Sequence, residues 1–305
     1  MKLMVSNAYS KLPIEIVAMS KYKIILLLLF IAVSIDIKAI EQDSLQVEPL
    51  RPVASAYMLE FGGSRINDTY LTPLKYTGWM AGFKYERMQA MKFNPEKWVM
   101  RLSAGVEIDR TQNPAKNADM WYLGLDASWG MMHRWKLPHE ITIGAGGSTS
   151  LDIGCLYSTR NGNNPASAKA AWTINAIGYV AWNFNVGRLP ITVKYQTTLP
   201  ITGVFFSPDY GELYYEIYLG NDDGLAHVAW WGNYFAMENL LTADLHLSNT
   251  CLRIGYRNQI LSTKVNDITT RMTTHSVVLG VSGEWISVSP RKGINPLARI
   301  ISALY

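Results

Sequence analysis

"WVMRLSAGVEID", residues 98–109, alternates without interruption. Trp98, Met100, Leu102, Ala104, Val106 and Ile108 share one side of an extended chain, while Val99, Arg101, Ser103, Gly105, Glu107 and Asp109 share the other. A period of two marks a strand, and a slip of one residue would turn every side chain to the opposite face. The pattern returns in "MWYLGLDASWGM" (120–131), "EITIGAGGSTSLDI" (140–153) and "AWTINAIGYVAWNFN" (171–185). It recurs at 53–61, 76–87, 191–198, 240–247, 252–261 and 273–285.

Length separates the folds that such strands could build. Strands of soluble sandwiches run about 5–6 residues, whereas a strand tilted near 45° crosses a bilayer in roughly 9–11. Several segments here reach that second length. Trp172 and Trp182 stand ten positions apart on one face, roughly 33 Å along a strand at about 3.3 Å per residue. Tilted, they span about 24 Å, close to the roughly 25 Å apolar band of an outer-membrane barrel. Trp98, Trp121, Trp129, Trp172 and Trp182 accordingly read as an aromatic girdle, in a chain with ten Trp and seventeen Tyr. The expected fold is all-β: a transmembrane, antiparallel, up-and-down barrel of about twelve strands over residues 51–286. Two of those strands, near 213–219 and 228–235, alternate weakly, so ten or fourteen strands stay open. A soluble barrel with its greasy face inward is the alternative.

One long apolar run precedes the strands, "KYKIILLLLFIAVSIDIKA" (21–39). Lys21 and Lys23, an apolar core from Ile24 to Val33, and small Ala39 before "IEQD" have the layout of a signal peptide. Residues 1–39 are expected to be that leader, with Met19 an alternative start. Residues 40–50 would form a periplasmic segment and 287–305 a C-terminal tail. The leader holds five Lys against Glu15 and Asp36; taking these from 28 basic and 24 acidic residues leaves a net charge of +1. No basic surface points to nucleic acid. Export and strand pattern together imply the outer membrane of a Gram-negative cell, with its lipid as the partner.

If the mature N-terminus starts in the periplasm, odd-numbered strands run outward. The stretches 110–119, 155–170 and 262–270 are then outer connections, while 133–139, "GRLP" (187–190) and "SNT" (248–250) are inner turns. Cys155 and Cys251 fall at opposite ends, too far apart for a disulfide, which needs Cα atoms within about 7 Å.

The segment "GVFFSPDYGELYYEIY" (203–218) is the most distinctive in the chain. With the leader and the amphipathic strands, it resembles an uncharacterised family of Bacteroidetes outer-membrane β-barrel proteins, a domain of unknown function. The likeness covers about residues 50–285 and implies location and fold; no activity comes with it. Pro208, Asp209 and Gly211 break the strand, and Phe205, Phe206, Tyr210, Tyr214 and Tyr215 read as an aromatic belt at the outer rim.

Chemistry-bearing motifs are scarce. There is no phosphate loop, no Gly-rich nucleotide turn and no His–Glu metal pair, so neither cofactor nor metal is expected. Asp244, His246 and Ser248 in "DLHLSN" share one face and are the weak candidates for an acyl-transfer site. Residues i and i+2 of one strand lie about 6.6 Å apart, too far for the mutual hydrogen bonds of a triad. The polar faces carry Lys84, Glu86, Arg101, Glu107, Asp109, Asp126, Asp152, Lys194, Asp244, Arg253, Arg257 and Glu284. Both signs occur, so these lumen-facing groups read as a salt-bridged filling or as the lining of a narrow pore. Gly124, Gly130, Gly144 and Gly146 would leave local room. Three functions follow: a non-enzymatic barrel, structural or a narrow small-solute pore; a lipid-modifying outer-membrane enzyme; and a soluble periplasmic binder.

Overall fold

The alternating segments hydrogen-bond to one another in chain order and close into a ring. A computed structural model describes residues 49–162, 164–220, 223–247, 250–286 and 298–304. The proposed leader, Ser248 and residues 287–297 lie outside the described residues. The strands are β1 (Val53–Asp68), β2 (Thr72–Ala90), β3 (Trp98–Gln112), β4 (Asp119–Leu137), β5 (Ile141–Ser158) and β6 (Ala166–Val186). They continue as β7 (Leu189–Phe206), β8 (Ala226–Ala229), β9 (Tyr234–Leu247), β10 (Thr250–Val265) and β11 (Ile268–Trp285), with one short helix, α1 (Tyr214–Tyr218). All pairings between strands are antiparallel, and β1 pairs with β11 while β7 pairs with both β6 and β9. Ten strands therefore form a closed meander and β8 stands outside it, attached to β7 alone.

Ten strands replace the expected twelve for a local reason. Residues 213–219, taken as a weak strand, contain α1, where the Glu216 carboxylate accepts from the Leu213 N–H at 2.9 Å in a capping arrangement. Residues 228–235 divide between the end of β8, a turn and the start of β9. Phe205, expected on the outer rim, is buried inward against Tyr234, with ring centroids 5.2 Å apart.

Most connections are short because the strands run further than their apolar faces. The link expected at 262–270 shrinks to Asn266 and Asp267, both at positive φ (51° and 57°), as a two-residue hairpin turn requires. The long connection is 207–233, between β7 and β9. We call its side of the barrel the loop end, and the side where β1 begins and β11 ends the terminal end. Tyr70 donates to the Glu212 carbonyl at 2.6 Å, Asn161 Nδ2 donates to the Leu71 carbonyl at 2.8 Å, and the Ala168 N–H donates to the Tyr214 hydroxyl at 2.6 Å. These bonds knit three loop-end connections together. Burial raises the Tyr70 hydroxyl above the usual tyrosine range and pushes that of Tyr214 up to about 12.

The wall is inverted relative to a soluble core. On β3, Arg101, Ser103 and Asp109 are buried while Leu102, Val106 and Ile108 are exposed. The outward face of β1 shows Tyr57, Leu59 and Phe61, each about half exposed, and that of β4 shows Leu123 and Leu125 at 54% and 57%. Rings cluster toward the ends of this surface. Trp79 and Trp121 meet edge-on at 6.3 Å near the loop end, with Arg110 over Trp121. At the terminal end Trp98 meets His133 edge-on at 5.3 Å, and the His133 ring lies tilted 4.5 Å from that of Trp135.

Candidate functional site

Inward charges from seven strands meet across the bore. Glu86 on β2 accepts from Lys194 Nζ on β7 at 2.6 Å and from Arg101 Nε on β3 at 2.9 Å, with Arg253 Nη1 of β10 at 3.5 Å. β2 and β7 are five places apart around a ring of ten, so the Lys194–Glu86 pair spans the lumen. Arg253 also grips Asp244 with two bonds, Nε–Oδ1 at 2.6 Å and Nη2–Oδ2 at 2.7 Å, the fork geometry that a guanidinium offers a carboxylate. Arg257 binds both oxygens of Glu60 at 2.8 Å and reaches Glu238 at 3.0 Å. Lys84 joins Glu238 (3.3 Å) to Asp126 (3.2 Å). Glu60, Lys84, Glu86, Arg101, Lys194, Asp244, Arg253 and Arg257 are each at most 4% exposed. The result is a cross-braced waist.

A cavity lies on each side of that waist. The terminal-end cavity, about 510 Å³, is lined by Met88, His246, Cys251, Arg253, Glu284 and Leu304, among others. The C-terminal segment enters this mouth. Leu50 and Ile300 form a parallel bridge, through Leu50 N–H to the Arg299 carbonyl (2.9 Å) and Ile301 N–H to the Leu50 carbonyl (2.8 Å). Arg134 Nη1 donates to the Ser302 carbonyl at 2.5 Å, and Ala303 and Leu304 are buried among Ala54, Met88, Val99, Met132 and Tyr179. The loop-end cavity, about 170 Å³, is lined by Glu107, Tyr122, Asp126, Asp152, Asn175 and Glu238, among others.

Room left by glycines is taken up by rings. A Cβ at Gly124 or Gly154 would lie 2.5–2.6 Å from the Tyr122 side chain, and one at Gly144 would lie 2.1 Å from that of Tyr179. The local room expected at Gly124 and Gly144 is thus filled.

The weak catalytic candidates Asp244 and His246 have other partners. Asp244 is engaged by Arg253, and Ser248 lies outside the described residues. His246 Nδ1 lies 2.9 Å from Cys251 Sγ and its Nε2 lies 2.8 Å from Thr192 Oγ1. Both cysteines are free: Cys155 is exposed on β5, and Cys251 lies near the start of β10. Among the described residues no group of three or more His, Cys, Asp or Glu is placed to hold a metal ion.

Of the lumen-facing charges singled out in the sequence, Lys84, Arg101, Lys194, Arg253 and Arg257 are the cations of the waist. Asp126 joins it through Lys84. Asp109 is fully buried and accepts from Ser64 Oγ at 2.5 Å. Glu107 and Asp152 line the loop-end cavity, and exposed Glu284 accepts from Ser302 Oγ at 2.5 Å. Trp129, Trp172 and Trp182 are 44–49% exposed on the outward face, whereas Trp98 and Trp121 are partly covered by neighbouring rings. Sequence reasoning passed over Glu60, Glu238 and the Asp68–Lys169 pair (2.5 Å). Glu60 could have been found, because in the alternating stretch 53–61 it falls on the face opposite Leu59 and Phe61.

Residues 22–292 match a family described as a protein of unknown function, DUF3316. The chain belongs to DUF3316. No match was found among curated proteins. Among solved structures, this DUF3316 barrel is similar to the outer membrane protease OmpT from Escherichia coli, at 8% identity and a TM-score of 0.42, over 80% of this chain and 99% of that one. It is also similar to the translocator domain of the autotransporter NalP from Neisseria meningitidis, at 10% identity and a TM-score of 0.37, over 88% and 98%. The P. putida toluene transporter TodX follows at 6% identity and a TM-score of 0.22, over 80% and 91%. Likeness at this level says nothing of what the DUF3316 chain does.

Proposed function

We propose that this protein is an integral barrel of a Gram-negative outer membrane, non-enzymatic, with a bore closed to free diffusion. The inverted wall carries the reading. Large apolar side chains face outward on strand after strand while Glu60, Glu86, Arg101 and Lys194 are buried inside. In water that surface would far exceed the few hundred Å² of contiguous apolar patch that monomeric proteins expose; in lipid it is the expected face. The closed bore rests on the transluminal Lys194–Glu86 pair and on Leu304 in the terminal mouth. Engagement of Asp244 by Arg253 supports a non-catalytic role for the His246 region.

Fractionation of cells expressing the full chain tests the placement. The protein is expected to stay with outer-membrane fragments through alkaline carbonate and 6 M urea washes and to leave only with detergent. Recovery in the soluble periplasmic fraction would overturn the membrane reading and favour a soluble binder.

A further inference from the structure

The barrel wall is not continuous between β7 and β9. Their ladder runs from Ile191↔Leu245 to Thr198↔Glu238 and stops there. Above that point Tyr234, Phe235, Ala236 and Met237 of β9 pair with β10 alone. β7 continues along β6 and takes β8 on its other edge only from Gly203 onward. Residues 199–202 of β7 thus have no strand on their β9 side among the described residues. The sequence supplies the cause. Pro200 has no N–H to give a ladder, and Ile201 is the extra residue of a bulge opposite Ile174 and Asn175, which bends β7. A side chain closes the seam instead: Trp231 Nε1 donates to the Pro200 carbonyl.

The loop-end cavity lies behind this seam, lined by Thr198 and Pro200 from one flank and by Tyr234, Ala236, Met237 and Glu238 from the other. The surface around it is apolar, with Ile201, Val228, Trp230 and Trp231 each more than half exposed. Its floor is the waist, through the pairs Lys84 and Arg257 make with Glu238. The cavity is therefore blind toward the terminal end. Its interior lacks positive charge: Glu107 and Asp152 face it, and neither has a cationic partner among the described residues. Beside Glu107 on β3, fully buried Asp109 forms a side-chain hydrogen bond with it. Acidic groups buried together without a cation call for a charge or donor from outside.

We propose that the loop-end cavity binds a protonated amine carried on an apolar body, admitted sideways from the lipid through the β7–β9 seam. The amine meets Asp152 and Glu107, and the apolar body lies against Tyr234 and the seam. This rests on the membrane reading above. The amine belongs either to a lipid head group or to a free amphiphile.

The test uses the full chain in phosphatidylcholine nanodiscs, titrated with a dansyl-labelled alkyl primary amine and its N-acetylated counterpart. The amine is expected to bind saturably, with the acetylated compound and the Asp152→Asn variant each weaker by about tenfold or more, the scale of one lost charge-assisted hydrogen bond. Bound probe should be quenched by brominated acyl chains and spared by aqueous iodide. Phosphatidylethanolamine in the discs competes if the source is a lipid head group, and leaves binding unchanged if it is a free amphiphile. Equal binding of the two compounds by the native chain, which depends on no variant folding, would overturn the site. So would an Asp152→Asn variant of native heat-shifted gel mobility that binds as the native chain does. Quenching by iodide alone would overturn the sideways route. A chain that fails to enter the discs refutes the membrane reading instead.

Discussion

Replacing Glu86 by alanine is expected to destabilise the barrel by about 3–5 kcal/mol, the cost of leaving buried charge without its partner. Glu86 is the shared acceptor of Lys194, Arg101 and Arg253, and Lys194 and Arg101 are themselves 2% and 4% exposed. Arg253 keeps Asp244; the other two cations lose their carboxylate. Glu86→Gln retains hydrogen-bond acceptance and should cost less. Urea unfolding of the refolded protein in micelles, followed by tryptophan emission, gives both values. A loss below about 1 kcal/mol for Glu86→Ala would mean that water, not side chains, fills the waist.

Leu125→Arg is expected to cost about 2–4 kcal/mol in a bilayer, the depth-dependent cost of a cation at the midplane of a lipid-facing strand. Leu125 is 57% exposed near the middle of β4, and Leu137, at the strand's terminal end, is 44% exposed. Leu137→Arg should cost only about 0–1 kcal/mol, as near an interface. Measured as unfolding free energies in lipid vesicles, the two must differ. Equal small costs would place both residues in water and remove the lipid from the account.

Much of this fold was legible in the alternation, because period two encodes both strand and face. The opening stretch shows this residue by residue, with Leu102, Val106 and Ile108 outside and Arg101 and Asp109 inside. What the alternation could not convey lies where the backbone leaves the ladder. Pro200 and the bulge at Ile201 divert β7, and beyond it Tyr214–Tyr218 form a helix and β8 pairs outside the ring. Candidate lumen charges could be listed from the sequence, but their partners could not. Whether Glu86 meets Lys194 or another cation depends on which strands stand opposite, and that follows from strand number and shear. Glu238 was missed because it precedes the alternating run at 240–247. The C-terminal residues 299–304 carry no period, yet Ala303 and Leu304 are buried in the terminal mouth.

Conductance across a planar bilayer tests the closed, membrane-spanning barrel most directly. Full-length protein, with insertion established independently by vesicle flotation, should give no steady current above the bare membrane. Arg101→Ala should introduce small discrete openings, by removing a side chain from the waist and freeing part of Glu86. A large, steady, porin-sized current through the native chain would contradict the account, showing that the buried charges line water rather than close the bore.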